Sequence, residues 1–560
     1  MDPKQEILKL LKKQGIKDIE LTVPKDTIHG DYALPCFKLT KQFKLDPVLI
    51  AKTLAKKIKK TKLIKDIQEA GPYLNFFINK QRFADSLIKQ ILKEKDDFGK
   101  KKAKKEKVMV EYSQPNTHKG FHIGHLRNVS LGDSLVRIMR FNGFPVVAAN
   151  YINDTGAHVA KCIWYYLKYT KSSEPKENRG EWLGKLYADS VNKLAQNPEL
   201  KDEVDEMHRK IESGDPELIK IWKETRQWSL DDFNQIYKIL DVKFDEWFYD
   251  NELTEPGKKF VKELLSKKIA KKSEGAVIVD LEKHKLDIAL VLKSDSSALY
   301  LTKDFALAER KFKDFKIERS IYVVAAEQRL HFKQLFKILE LYGFKQAEKC
   351  FHLSYELVML KEGKMSSRAG NIVLFSELLN QMKEKLKHEV SSRHKDWKEK
   401  QKQTAIDKIA IAAMKFIMLN HENNKVITFD PEKALDFEGE TGPYIQYAHA
   451  RICSIMKKYE GEVSKKFNAD LLDSKEEEKL VTVLSNFENT LDEAANSYKP
   501  HLIARYLLDL AQAFNEFYHV CPILQASEDV KQTRLNLVLA VKQVLKTGLN
   551  LLGIEAPEEM

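Results

Sequence analysis

The sequence predicts a multidomain α/β protein, with a parallel-sheet domain set between a small α+β domain and an all-α C-terminal one. Three observations carry this. At 560 residues the chain is longer than one hydrophobic core usually organises, so two to four domains are expected. A strand, helix, strand succession runs through "VMVEYS", "HIGHLRNVSLGDSLVRIMRFNG" and "FPVVAANYI", the helix carrying apolar residues on a 3.6 period. Such a βαβ unit requires parallel strands. From about Thr404 to Leu552 strand signals vanish, and Tyr, Phe and Leu recur three and four apart.

The first region, residues 1–98, reads as an amphipathic helix, an irregular "DTIHGDYALPCFKL", a second helix from about Asp46 and a strand-like "GPYLNFFIN". The lysine run "KEKDDFGKKKAKKEK" offers nothing apolar to bury and marks a boundary. Residues 99–385 then form the sheet domain. Within it, about 171–249 is charged, helical and Trp-containing, and β-prone runs return in "GAVIVDL", "IALVL" and "SIYVVAA". That order predicts a helical insertion between two halves of one sheet. Residues 386–560 complete the chain as helices, and no internal repeat is visible.

With 43% hydrophobic and 32% charged residues, the composition is that of a soluble globular protein. No run is long enough to span a bilayer, and the first twenty residues lack the apolar core of a secretory signal. Cys36, Cys162, Cys350, Cys453 and Cys521 are odd in number and never form Cys-x-x-Cys, so free thiols, no protein-bound zinc and a cytoplasmic location are expected. A net charge of +13 leaves two readings open: a polyanionic partner, nucleic acid first, or simply lysine-rich solvated helix faces.

Chemistry concentrates in "NTHKGFHIGHLRN", Asn116 to Asn128. Zinc-binding pairs on helices usually stand four apart with a third ligand nearby, whereas His122 and His125 are three apart around Ile-Gly. A helix starting near His122 instead offers free N–H groups and partial positive charge to an anion. Gly124 leaves room for a nucleotide against the backbone, and both histidines can donate to phosphate oxygens. Far downstream, "LKEGKMSSRAGNIV" gathers Lys364, Met365, Ser366, Ser367 and Arg368 between Gly363 and Gly370, a donor-rich loop suited to a triphosphate. Neither a Walker loop nor a dinucleotide glycine fingerprint is present.

The two stretches resemble the HIGH and KMSKS signatures of class I aminoacyl-tRNA synthetases, which implies a Rossmann-like catalytic domain with insertions. "VEYSQPNTHKGFHIGHLRN", "YLTKDFALAERKF", "VVAAEQRLHF", "GETGPYIQYAHARI" and "LLGIEAPEEM" further resemble arginyl-tRNA synthetases along nearly the whole chain. Gln114 stands where the family has Ser before Pro115. Ser367 replaces the second lysine of KMSKS, and Lys119 occupies the place of the lysine that the family tends to carry ahead of HIGH.

The resemblance implies ATP-dependent activation of L-arginine to arginyl-adenylate and transfer to the terminal ribose of tRNA(Arg), with Mg²⁺ accompanying ATP. His122, His125, Lys119 and Lys364 are the expected catalytic groups. ATP would meet His122, Gly124, His125 and Lys364 to Arg368. Arginine would meet Gln114, Pro115, Asn116, His125, Glu274, Tyr300, Asp304 and Gln328; a guanidinium needs a carboxylate and oriented acceptors, which Asp304 and Tyr300 supply one turn apart. The helical C-terminal region would bind the anticodon through Tyr444, Tyr447, Arg451, Tyr506, Phe514 and Tyr518, although aromatics at that spacing also suit a helix core. The N-terminal domain, through "HGDYA", would touch the tRNA elbow. A monomer is expected, with no membrane partner. Alternatives are a synthetase for another amino acid such as cysteine, a small-molecule nucleotidyltransferase, and a catalytically silent synthetase-like tRNA-binding protein.

Overall fold

Apolar periodicity builds the N-terminal unit in the computed structural model, which describes residues 3–17, 19–24, 26–360 and 373–560. Helix α1 (Pro3–Lys13) turns Ile7 and Leu11 inward, β1 (Tyr32–Pro35) and α2 (Thr40–Phe43) follow, and α3 (Pro47–Lys57) begins where Asp46 accepts from the amides of Val48 and Leu49. Strands β2 (Ile64–Ala70) and β3 (Tyr73–Ile78) complete an antiparallel sheet of order β1-β3-β2 with its own small core. Helix α4 (Lys80–Glu94) leaves that core and inserts Leu87, Ile88 and Ile91 into the main one.

The lysine run differs from its sequence reading, because it does bury something. Phe98 is almost fully buried and stacks on Phe487 at 5.9 Å, while Lys101 pairs with Glu488 and Asp96 binds Gln543 and Lys546. One aromatic anchor and partner charges from distant helices turn a solvated-looking stretch into a packed strap.

The main sheet forms from the runs expected to be most apolar. β4 (Val108–Glu111) leads into α5 (Ile123–Phe141) and β5 (Val146–Ile152). Helices α6 (Ala157–Tyr165), α7 (Arg179–Gln196), α8 (Lys201–Glu212) and α9 (Pro216–Ile239) are the insertion. The region read as helical nonetheless ends in a strand, β6 (Glu246–Tyr249), that pairs parallel with β5. After α10 (Thr254–Ser266) come β7 (Lys271–Ser273), β8 (Ala276–Asp280) and β9 (Ile288–Leu292), which form a separate antiparallel sheet. This corrects the assignment of "GAVIVDL" and "IALVL" to the main sheet. Alternating burial along β8 and β9 suits a sheet covered on one face only, whereas β4 is buried at every position.

The chain then adds α11 (Tyr300–Phe315), β10 (Arg319–Ala325), α12 (Arg329–Tyr342), β11 (Cys350–Tyr355) and β12 (Val358–Leu360). The five-stranded sheet has order β11-β10-β4-β5-β6, parallel throughout. Helices α13 (Phe375–Arg393) and α14 (Glu399–Leu419) lead to β13 (Ile427–Phe429), a strand inside the region read as wholly helical; it pairs parallel with β12. Helices α15 (Pro431–Ala434), α16 (Gly442–Lys458), α17 (Lys475–Ser485), α18 (Phe487–Ser497), α19 (His501–Val520) and α20 (Glu528–Leu551) finish the fold and share one core with α4, α5 and α14. No helix among the described residues is long and apolar enough to cross a membrane.

Candidate active site

Strand β4 lies at the sheet's centre with β5 on one side and β10 on the other; the chain leaves β4 toward β5 and leaves β10 the opposite way, toward β11. Crevices at such switch points are where open parallel sheets bind ligands. The connection from β4 to α5 is forced through unusual backbone: Ser113, Gln114 and His118 have φ of 77°, 48° and 62°. Side chains hold it there. Asn128 accepts from the Ser113 amide and donates to the Val323 carbonyl at 2.9 Å, and Asn150 accepts from the Gln114 amide at 3.1 Å. His118 is wholly buried between Thr117 and Thr225, and burial lowers its pKa to about 3, so this histidine is a neutral brace.

His122 caps α5. Its Nδ1 accepts from the Gly124 amide at 3.1 Å, and His125 Nδ1 accepts from the His122 amide at 3.1 Å. With both Nδ1 atoms acting as acceptors, the ring protons sit on Nε2. Burial first, then Lys119, brings the His122 pKa down to about 4, and burial with His122 and Lys119 drives that of His125 well below its usual value. Two neutral N–H donors therefore stand 3.8 Å apart, ring centre to ring centre, at a helix N-terminus. The glycine between them has a local reason: a Cβ on Gly124 would lie 2.9 Å from His122 Cε1.

Lys119 is half-buried with its ammonium 5.0 Å from the centre of the Tyr187 ring, and burial together with Lys161 lowers its pKa. Helix α7 presses on this loop through Gly184, where a Cβ would stand 2.5 Å from the Gly120 nitrogen. On the other side Phe375 N donates to Phe121 O at 2.9 Å, and His122 bridges Leu374. Residues 373–375 are thus fastened to the start of α5. The expected ATP-binding residues Lys364, Met365, Ser366, Ser367 and Arg368 lie outside the described residues.

The structure links Asn116 to Tyr300 through a residue the sequence reading missed. Asn153 Nδ2 donates to Asn116 Oδ1 at 2.7 Å and to the Tyr300 hydroxyl at 3.0 Å. Its Oδ1 is buried and has no protein partner among the described residues, which leaves an acceptor over. One turn along α11 from Tyr300, Asp304 receives His331 Nε2 at 2.6 Å. Asp250, just past β6, is buried, accepts from Tyr151 at 2.9 Å and from Thr155, and pairs with Lys303; its charge is felt at Tyr300. Gln114 turns under the sheet to donate to Glu111 at 2.8 Å, in reach of the buried Lys311 pair. Pro115 is buried beside it. Gln328 is exposed at the end of β10, on the crevice side of the sheet. Glu274 is not brought to this group by any contact seen here: it sits exposed, at φ 51°, in the turn between β7 and β8.

Of the six C-terminal candidates, two are core. Phe514 is fully buried, and Tyr506 is 5% exposed against Phe487, so neither presents a face to a ligand. This corrects their assignment: on α19 the three-and-four spacing marks the buried stripe. Of the other four, Tyr444, Tyr447 and Arg451 line a groove of about 820 Å³ between α13, α16 and α19, and the exposed Tyr518 stands beside it. Arg451 lies over the rings of Tyr447 and Tyr518, at 4.6 and 5.2 Å, and donates to Asn515 at 2.9 Å; Asn515 donates to Tyr444 at 3.0 Å.

Residues 87–430 match the family model described as tRNA synthetases class I (R), catalytic domain, so the fold and its crevice define a class I aminoacyl-tRNA synthetase. Residues 4–78 match the arginyl tRNA synthetase N terminal domain, and 445–560 the DALR anticodon binding domain. The chain is 40% identical to the arginine-tRNA ligase of Bdellovibrio bacteriovorus, covering 96% of this chain and 93% of that one, and 38% identical to that of Clostridioides difficile, covering 99% and 98%. It superposes on the Thermus thermophilus arginyl-tRNA synthetase with a TM-score of 0.84 at 27% identity over 99% of each chain. This chain belongs to the arginyl-tRNA synthetase family.

Proposed function

We propose that the crevice at the end of β4 binds arginine along the row Asn116, Asn153, Tyr300, Asp304 and receives ATP on the first turn of α5. The chain is an arginine-tRNA ligase. Its reaction joins arginine to AMP, releases pyrophosphate, and passes the arginyl group to tRNA. The observation that carries the site reading is the Asn153 amide, which ties Asn116 to Tyr300 and keeps one buried oxygen for a cation.

In this reading Asp304, oriented by His331, and the Tyr300 hydroxyl hold the guanidinium, while Asp250 is already neutralised by Lys303. Asn116 and Gln328 take the amino acid's other end. The arginine carboxylate attacks the α-phosphate in line, and the electron pair of the breaking bond leaves with pyrophosphate. His122 and His125 donate through Nε2 to phosphate oxygens without losing a proton, and Lys119 adds charge; Gln114, Pro115, Gly124 and, by resemblance, Lys364 to Arg368 complete the contacts. The terminal ribose hydroxyl of the tRNA then attacks the arginyl carbonyl and AMP departs. Magnesium enters as the counter-ion of ATP: the groups gathered at α5 are donors, which suit phosphate oxygens rather than a metal. Glu274 has no support from the geometry and is left out. The groove lined by Tyr444, Tyr447 and Arg451, with Tyr518 beside it, is assigned to the anticodon loop. We take the enzyme to be a cytoplasmic monomer, in keeping with five free, buried thiols.

Arginine-dependent ATP-pyrophosphate exchange, with and without tRNA(Arg) and against the other amino acids, tests this. Exchange with arginine alone among them is expected; none in the presence of cognate tRNA overturns the reading.

A further inference from the structure

Arg127 is one turn into α5 from the His122 cap and is fully buried, with no ion-pair partner among the described residues. One terminal nitrogen donates to the carbonyls of Glu356 and, at 3.1 Å, Leu357, immediately ahead of β12. The other donates to Asn423 O at 3.4 Å and Lys425 O at 2.9 Å, immediately ahead of β13. Burying a guanidinium without a carboxylate is costly; the four carbonyls offset that for its two terminal nitrogens, while the buried Nε has no partner among the described residues. The planar fork can meet four carbonyls only while both segments keep a fixed register to α5.

The surroundings extend this junction in two directions. Glu356 N donates to Asn423 O at 2.9 Å, and β12 and β13 continue as a parallel ladder. Strand β13 runs into α15 and, through the Thr441 cap, into α16 with Tyr444, Tyr447 and Arg451. In the opposite direction the same side chain is carried by the helix whose first turn is His122 to His125. At the far end α5 is fixed separately, by Ser134 Oγ on Leu551 O at 2.9 Å and by Lys415 between Leu240 O and Gly553 O, 3.8 Å from Asp133.

We propose that Arg127 is a positioning residue that couples the α16 groove to the adenylation crevice: it locks the β12-β13 pair to the start of α5. The placement of His122 and His125 then depends on what the groove holds. This rests on reading the groove as the anticodon site.

Hydrogen exchange on the full-length protein, with and without an RNA hairpin copying the anticodon arm of tRNA(Arg), tests both levels. In the parent, the hairpin is expected to change protection in α16, in residues 427–429 and 358–360, and in the first turn of α5. In Arg127→Lys, which keeps the charge but not the fork, the change in α16 stays and that in α5 is lost. Aminoacylation kcat for Arg127→Lys falls at least tenfold, while KM for arginine and Kd for tRNA hold. A parental kcat, or a retained α5 response, overturns the coupling. So does loss of both responses with a collapsed melting temperature, which would mark Arg127 as merely structural. Failure of the hairpin to protect α16 in the parent sinks the groove reading instead. Arg127→Met, which removes the charge as well, is expected to lose more kcat than Arg127→Lys; equal losses would also overturn the role of the fork.

Discussion

At the residue scale, the histidine pair is defined by which nitrogen is occupied. Because capping uses both Nδ1 atoms, each ring offers one Nε2–H and stays neutral, so neither acts as an acid at physiological pH. The pH consequence has a definite sign. His122 holds its proton only below about 4 in the folded chain, against an ordinary value of 6.5. Between these the unfolded chain binds more protons, so stability should be full above about 6.5 and fall as pH drops toward 4. Urea unfolding at stepped pH measures this, and His122→Asn, which can still cap, should lose part of the acid sensitivity while exchange kcat drops about 100-fold. Lys119→Ala is expected to lower the exchange rate by about 10²–10³ with KM for arginine unchanged; an unaltered rate would remove Lys119 from phosphate handling. For Asp304→Asn, KM for arginine should rise by about 10²-fold or more, since a partly buried charge interaction is lost while ATP contacts persist.

At the scale of elements, legibility in the sequence followed burial. β4, α5 and β5 were readable because each is nearly uniformly buried or strongly periodic, and the start of α5 was marked by its own capping residues. β6 was hidden because "EWFY" is a four-residue edge strand with one fully buried side chain, and β8 and β9 were misplaced because apolar runs do not say which sheet they join. Asp250, Asn153 and His331 escaped because their partners come from other elements, and nothing in "DNE", "IND" or "RLHF" announces them. Tyr506 and Phe514 were indistinguishable from Tyr447 and Tyr518 until α19 was seen from both sides. The fit of α7 against the Lys119 loop is a similar long-range fact with a testable edge. Gly184→Ala would put a Cβ into the Gly120 backbone, which cannot yield as a flexible side chain would. Overpacking of this kind costs about 1–3 kcal/mol. It should lower the melting temperature and raise KM for ATP by displacing Lys119, with tRNA affinity unchanged.

At the scale of the molecule, a net charge of +13 and a groove built on Arg451 bear on how tRNA is held. Composition alone left solvated lysines and a polyanion partner equally open, and the groove separates general attraction from local recognition. Arg451 is already ordered by two rings and Asn515, so little side-chain entropy is lost when RNA arrives. A base stacked on such a platform contributes about 1–3 kcal/mol, largely independent of salt, whereas each phosphate neutralised by a lysine contributes to the slope of log K against log salt. Tyr447→Ala should therefore weaken tRNA binding by about 10-fold or more without altering the salt slope. Replacing a phosphate-contacting lysine should instead reduce the slope by about one with a smaller loss at high salt. Fluorescence titration of tRNA(Arg) across a salt series measures both quantities. A Tyr447→Ala variant whose slope changes while its affinity at high salt does not would mean that the groove follows the RNA backbone rather than reading a base.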